Sequence, residues 1–340
     1  MDNLKKLGLT ALGTALVTAG SAQAASMSVS GSTSLFFNGE DNSDLGNGWS
    51  MTDSITFSAS GELDNGFTIS TSLELDNNAF DDRSLTIDTG DMGSLTFSGS
   101  GTSGPIGAWD DVTPTANEEA HGVAVSGTAA GAANAASSVN RFVFDYTAMD
   151  GLALKASYTP SGGAGVVESS IEYGALYTGI DGLSVYAAMG ENNNQPTTGI
   201  TGKADLSAFA VTYAMGALTV GYQVNETDSG TASQDEDFTA IGVSYAVSDD
   251  LSVSLNSSEI DFESGTDDQQ ASGVSFSYTS GGMTISGTHS QIDNVAGTAT
   301  ADNTGYEINF VFAFYMPTFY IYYKSITYII FKLINYLFNV

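Results

Sequence analysis

The chain has 340 residues, with 39 acidic against 8 basic side chains, a formal charge of −31, no cysteine and two histidines. That balance repels polyanions and leaves no basic patch for nucleic acid. Without cysteine the fold must hold itself together by burial or closure, and His121 and His289 have neither the spacing of a zinc pair nor a nucleophile beside them, which speaks against an enzyme.

Residues 1–24 open the chain as an export signal: Lys5 and Lys6 form a charged start, Leu7 to Ala19 an apolar run, and Ala22-Gln23-Ala24 a small-residue cleavage site. The mature protein is expected to begin at Ala25 and to leave the cytoplasm through the periplasm. From there to Phe314 the sequence alternates apolar and polar residues with a period of two, the pattern of strands with one greasy and one polar face. Sixteen such segments follow one another: 27–37, 54–63, 67–75, 84–89, 94–99, 141–147, 152–159, 170–178, 183–189, 206–213, 218–224, 238–247, 251–256, 273–278, 283–289 and 305–314. The last shows the pattern best, with Tyr306, Ile308, Phe310, Phe312 and Phe314 on one face and Glu307, Asn309, Val311 and Ala313 on the other. Such rows facing water would aggregate; facing lipid in a closed barrel they are what the solvent requires. No helical stretch is expected in this span.

The connections sort into two classes. Those at 64–66, 90–93, 149–151, 180–182, 215–217, 248–250 and 280–282 are tight and rich in Gly or Asx, whereas those at 39–50, 76–82, 100–140, 160–169, 190–205, 225–237, 257–272 and 290–304 are mostly longer and acidic. Pro105, Pro114, Pro160 and Pro196 all fall in the long class, as ladder hydrogen bonding demands. The expected fold is therefore all-β: a 16-stranded antiparallel transmembrane β-barrel with long outer loops and short periplasmic turns. Nine tyrosines near strand ends on the apolar face, Tyr146 and Tyr278 among them, suit headgroup depth. Residues 315–340 change composition abruptly to Tyr, Ile, Phe, Lys, Asn and Leu, without Gly, Ala, Asp or Glu. They read either as a membrane-associated segment or, the favoured reading, as AT-rich non-coding sequence translated past a natural end at Phe314.

The connection 100–140 is the longest, and so long a loop is best tolerated when it has a task. It carries Asp110, Asp111, Glu118 and Glu119 and no Lys or Arg. One carboxylate ~6 Å from a passing ion contributes roughly 0.7 kcal/mol at water-like dielectric, about threefold in local concentration. Several together would favour cations; the plainer alternative is ordinary solvated loop charge. Parity places Arg141, Lys155, Glu74, Asp145 and Glu172 inward, while the direction of Arg83 is open. Leader and tail take out Lys5, Lys6, Lys324 and Lys332 against Asp2 alone, so the barrel span is more acidic than the whole chain. Acidic runs at Asp41 to Asp44 and Asp76 to Asp82 could hold Ca2+, but Leu45 and Phe80 break any EF-hand spacing. No cofactor is expected.

The leader, the first-strand entry Ala25 to Gly31, the run Asp110 to Ala120, the hairpin Tyr146 to Tyr158 and the closing strand ending in Phe314 together resemble the general porins of Gram-negative bacteria, in particular the alphaproteobacterial subgroup. The resemblance spans nearly all of residues 25–314. It implies a homotrimer in the outer membrane with the third long loop folded inward, basic residues on the wall facing that loop, and a terminal phenylalanine that assists assembly. Arg83, Arg141 and Lys155 are the candidates for that wall. The expected function is a diffusion channel for small hydrophilic solutes and ions, cation-preferring, in contact with outer-membrane lipid. The competing reading is an acidic β-rich surface or adhesin protein without channel activity.

Overall fold

The period-two segments become strands that each pair with their neighbour in sequence. A computed structural model describes residues 26–41, 47–76, 79–129, 131, 135–161, 168–193, 203–230, 235–263 and 267–316. The strands are β1 (Ser26–Glu40), β2 (Trp49–Glu62), β3 (Thr68–Asp76), β4 (Ala79–Asp88), β5 (Ser94–Ser100), β6 (Arg141–Met149), β7 (Leu152–Thr159) and β8 (Ser170–Ile180). They continue as β9 (Leu183–Asn192), β10 (Ala204–Met215), β11 (Leu218–Ser229), β12 (Glu236–Ala246), β13 (Leu251–Phe262), β14 (Gln269–Ser280), β15 (Met283–Asp293) and β16 (Asn303–Met316). All pairings are antiparallel, and β1 closes on β16 to complete the barrel. Closure leaves no edge to aggregate, which is how a cysteine-free sheet of this length satisfies every ladder.

The outer surface carries the greasy rows. Leu35, Phe57, Phe97, Phe142, Phe209, Phe276, Phe312 and Phe314 all stand exposed on it, as do Tyr146, Tyr173, Tyr222 and Tyr278. The tight turns use left-handed glycines where a Cβ would clash with its own backbone, at Gly151 and Gly182, both with φ 75°.

Several strands run further than alternation indicates: β11 reaches Ser229, β13 reaches Phe262 and β14 starts at Gln269. In these extensions the outward positions are Glu226, Asp228, Glu259 and Asp261, all exposed. With the outward face polar, the period-two signal of a lipid-facing strand vanishes although the ladder goes on. Two further expectations need correction. A single helical turn, α1 (Pro105–Trp109), lies in the third loop, with Pro105 at its first positions where no amide donor is needed. Strand β16 does not stop at Phe314, because Tyr315 and Met316 pair with Ser30 and Val29. The leader and residues 317–340 lie outside the described residues.

Candidate functional site

The third loop turns into the barrel and is held against one side of its inner wall. Its path is cut into the wall by glycines at inward strand positions. A Cβ on Gly174 would lie 2.4 Å from the Trp109 ring, and one on Gly221 2.3 Å from Cδ of Pro114. At Gly242 it would meet the Pro114 carbonyl at 2.7 Å, at Gly273 the Ala120 Cβ at 2.9 Å, and at Gly305 a Val125 methyl at 2.3 Å. Real Cβ contacts are never so short, so the loop occupies volume that only glycine leaves free.

Three apolar patches then fix the loop. Ile106 and Trp109 of α1 bury against Ala188, Ala204, Leu206 and Ala208; Ala120, Val123 and Val125 bury against Ala271 and Ile292; and Ala129 packs on Phe238, Ala240 and Ile260. Between them the loop's backbone finds polar partners on the wall. Val112 N donates to Gln223 Oε1 at 2.8 Å, Ala116 N to Ser254 Oγ at 3.0 Å and Ala120 N to Asn256 Oδ1 at 2.7 Å. Gln269 exchanges two bonds with Ala129, at 3.0 and 2.9 Å, and Glu40 accepts from the amide and hydroxyl of Ser126 at 2.6 and 2.7 Å. The loop thus follows β8 through β16 to β1. The inward apolar residues beneath it, such as Leu206 and Phe238, interrupt the polar face and carried no recognisable sequence signal; the inward glycines were the available clue.

Of the four loop acids, three come together. One carboxylate oxygen each from Asp111, Glu118 and Glu119 lies within 4.8 Å of the others. Asp111 is exposed, Glu118 half-buried and Glu119 buried. Burial pushes the Glu119 carboxyl up to about 8, and the nearby Asp111 charge adds to the shift. Glu118 is raised for the same two reasons, burial first, while burial lowers His121 against the pull of Asp111. Three oxygens are hard donors of the kind a divalent ion takes, though short of the 6–8 that Ca2+ collects. Asp110 stands apart, capping α1, with its carbonyl accepting from Gln223 and from Asn225 Nδ2 at 2.7 Å. Of the runs Asp41 to Asp44 and Asp76 to Asp82, residues 42–44 and 77–78 lie outside the described residues.

The facing wall, β1 to β5, is a sheet of hydroxyls. Ser28, Ser58, Ser72, Ser84 and Ser98 stand opposite one another across these strands, and so do Ser26, Ser60, Ser70, Thr86 and Thr96. Glu74 points inward there, accepting from Ser54 Oγ.

The basic residues are not where the resemblance implied. Arg83 sits at a bulge on the outward side, opposite Leu73, with its Cβ 3.2 Å from where a Gly99 side chain would begin. Arg141 and Glu172 do point inward, but they are sealed beneath the loop, paired at 3.0 Å with side chains 1% exposed. Lys155 faces the lumen bound to Asp145 at 2.9 Å, in a hollow shared with Trp109. Lys203, the remaining base among the described residues, pairs with the exposed Glu168 at 2.8 Å. An unpaired cation on the wall opposite the loop acids is therefore missing among the described residues. Phe314 lies outward on β16 and packs over Gly31 of β1.

The model of the Gram-negative porin family matches residues 8–278. Among curated proteins, none matches this chain. Solved structures of the same architecture include OmpT of Vibrio cholerae in its trimer form, 14% identical, covering 86% of this chain and 100% of its own, at a TM-score of 0.61. The anion-selective porin from Comamonas acidovorans is also 14% identical, covering 85% and 100% at 0.62, and Salmonella typhi OmpF in complex with daunomycin is 13% identical, covering 84% and 97% at 0.64. A family match over most of the length, on a closed sixteen-stranded barrel with an inward third loop, places this chain in the Gram-negative porin family, whose members form diffusion channels in the outer membrane.

Proposed function

We propose that this outer-membrane channel passes small hydrophilic solutes with a preference for cations, and that Asp111 and Glu118 on the inward loop supply that preference. The carrying observation is the asymmetry of the bore: carboxylates on the loop face a wall of hydroxyls and Glu74, and among the described residues each inward base is engaged by an acid. One similar structure belongs to an anion-selective porin, so the fold alone leaves the sign of selectivity to the side chains. The family and fold support a channel rather than an enzyme, and the lipid-facing rows give the adhesin reading no advantage. We include in the proposal export on residues 1–24, a barrel over residues 25–314 and assembly as a homotrimer, the last supported by the trimer form among the similar structures.

In planar bilayers, Asp111→Asn with Glu118→Gln is expected to lower the cation-to-anion permeability ratio several-fold, at about threefold per carboxylate within ~6 Å of the ion path. An unchanged ratio would remove these residues from the selectivity mechanism.

Selectivity should also depend on pH. Glu119 is protonated at neutral pH and ionises as pH rises through about 8, adding negative charge beside Asp111, Glu118 and His121 on the loop, with Glu307 on β16 nearby. The permeability ratio should therefore climb between pH 7 and 9, and climb less in Glu119→Gln. The linkage has the opposite sign for stability. A carboxyl whose folded-state pKa is raised loses stabilisation as pH climbs from its ordinary range to about 8, and no more above that.

A further inference from the structure

We propose that the buried Arg141–Glu172 ion pair is the pin that holds the neck of the inward loop and thereby fixes the bore. This rests on the channel reading above. Glu172, on β8, is fully buried and spends both oxygens on the two ends of the loop. Its Oε2 accepts from Ile106 N at 3.4 Å and from Ser157 Oγ at 3.3 Å, and its Oε1 accepts from Ala136 N and from Arg141 Nη2, both at 3.0 Å. Arg141 completes the knot by donating from Nε to Thr159 Oγ1 at 2.9 Å and from Nη2 to the Ala136 carbonyl. The stretch from Ile106 to Ala136, which holds every acid of the constriction, is thus closed at its base by one carboxylate.

The fit around the pair is tight. A Cβ on Gly104 would stand 2.0 Å from Glu172 Oε2 and 2.7 Å from Arg141 Nη1, so the chain can pass there only as glycine. With side chains 1% exposed, neither partner meets the ion path. Their influence on transport runs through the position of the loop, which makes them positioning residues. Charge-assisted bonds in a desolvated pocket are stronger than neutral ones. Removing one partner would also strand the other as an uncompensated buried charge.

The test uses full-length protein in planar bilayers, with wild type recorded alongside. Glu172→Gln should replace the steady open level with excursions between levels, about ten- to a hundredfold more frequent than in wild type, the factor for losing one or two such bonds. Because that variant strands Arg141, a second one, Arg141→Met with Glu172→Met, removes both charges and keeps an apolar fill that favours folding. It too should show the excursions while retaining heat-modifiable mobility in detergent. Glu168→Gln, which breaks the exposed pair with Lys203 at the outer rim, should leave the record as in wild type. Steady wild-type conductance in a folded Glu172→Gln or double-methionine protein would overturn the pin while leaving the channel reading intact. Absence of channels in wild type would instead overturn the channel reading, and the pin with it.

Discussion

Truncating Trp109 to alanine is expected to unseat the start of the inward loop, raising single-channel conductance and moving the permeability ratio toward one. Trp109 is 8% exposed and is the largest side chain in the loop's main apolar patch, with its ring over Gly174 and 6.3 Å from that of Tyr186. Buried Trp→Ala changes lose about 3–5 kcal/mol. Here that loss falls on the attachment of the loop, because the barrel ladders do not pass through the indole. The two effects can be read separately: the denaturation midpoint of the barrel should move little while conductance changes. A large fall in barrel stability with unaltered conductance would mean that the loop is held elsewhere.

Placing arginine at Phe310 should lower barrel stability in lipid by about 2–4 kcal/mol, the range for a cation at mid-membrane on the lipid face. Phe310 is the middle of the five outward apolar side chains of β16 and lies between Leu35 of β1 and Ile285 of β15. One residue earlier the expectation reverses. Asn309 points inward and its Oδ1 is buried without a hydrogen-bond partner, so Asn309→Ala should be neutral or slightly stabilising. Urea unfolding of vesicle-reconstituted protein measures both. Equal effects at the two positions would contradict the assignment of faces.

The fold was legible because a lipid-facing strand must alternate, and the tight turns and long loops mark its two ends. Legibility faded where that solvent constraint ended. Above the membrane, Glu226, Asp228, Glu259 and Asp261 face water, so strands continue there under what reads as loop sequence. Inside, Leu206, Phe238, Ile260 and Ile292 face the barrel interior yet are apolar, because the loop covers them. At the site, the sequence singled out the third loop but treated its acids as four equal charges. Three of them cluster, and burial leaves Glu119 protonated at neutral pH, a consequence of packing that no spacing encodes. Parity put Arg141 and Glu172 inward correctly, but inward here means beneath the loop rather than beside the water. The direction of Arg83, left open by the sequence, is outward, in step with Leu85 of the same strand and opposite Leu73.

The most direct measurement is the zero-current potential of the wild-type channel in a planar bilayer under a KCl gradient at neutral pH. A bore with loop carboxylates on one side, hydroxyls on the other and every inward base among the described residues engaged gives a potential of the sign set by K+ moving ahead of Cl−, reduced as salt shortens the reach of the charges. A potential of the opposite sign, with Cl− ahead, would contradict the account.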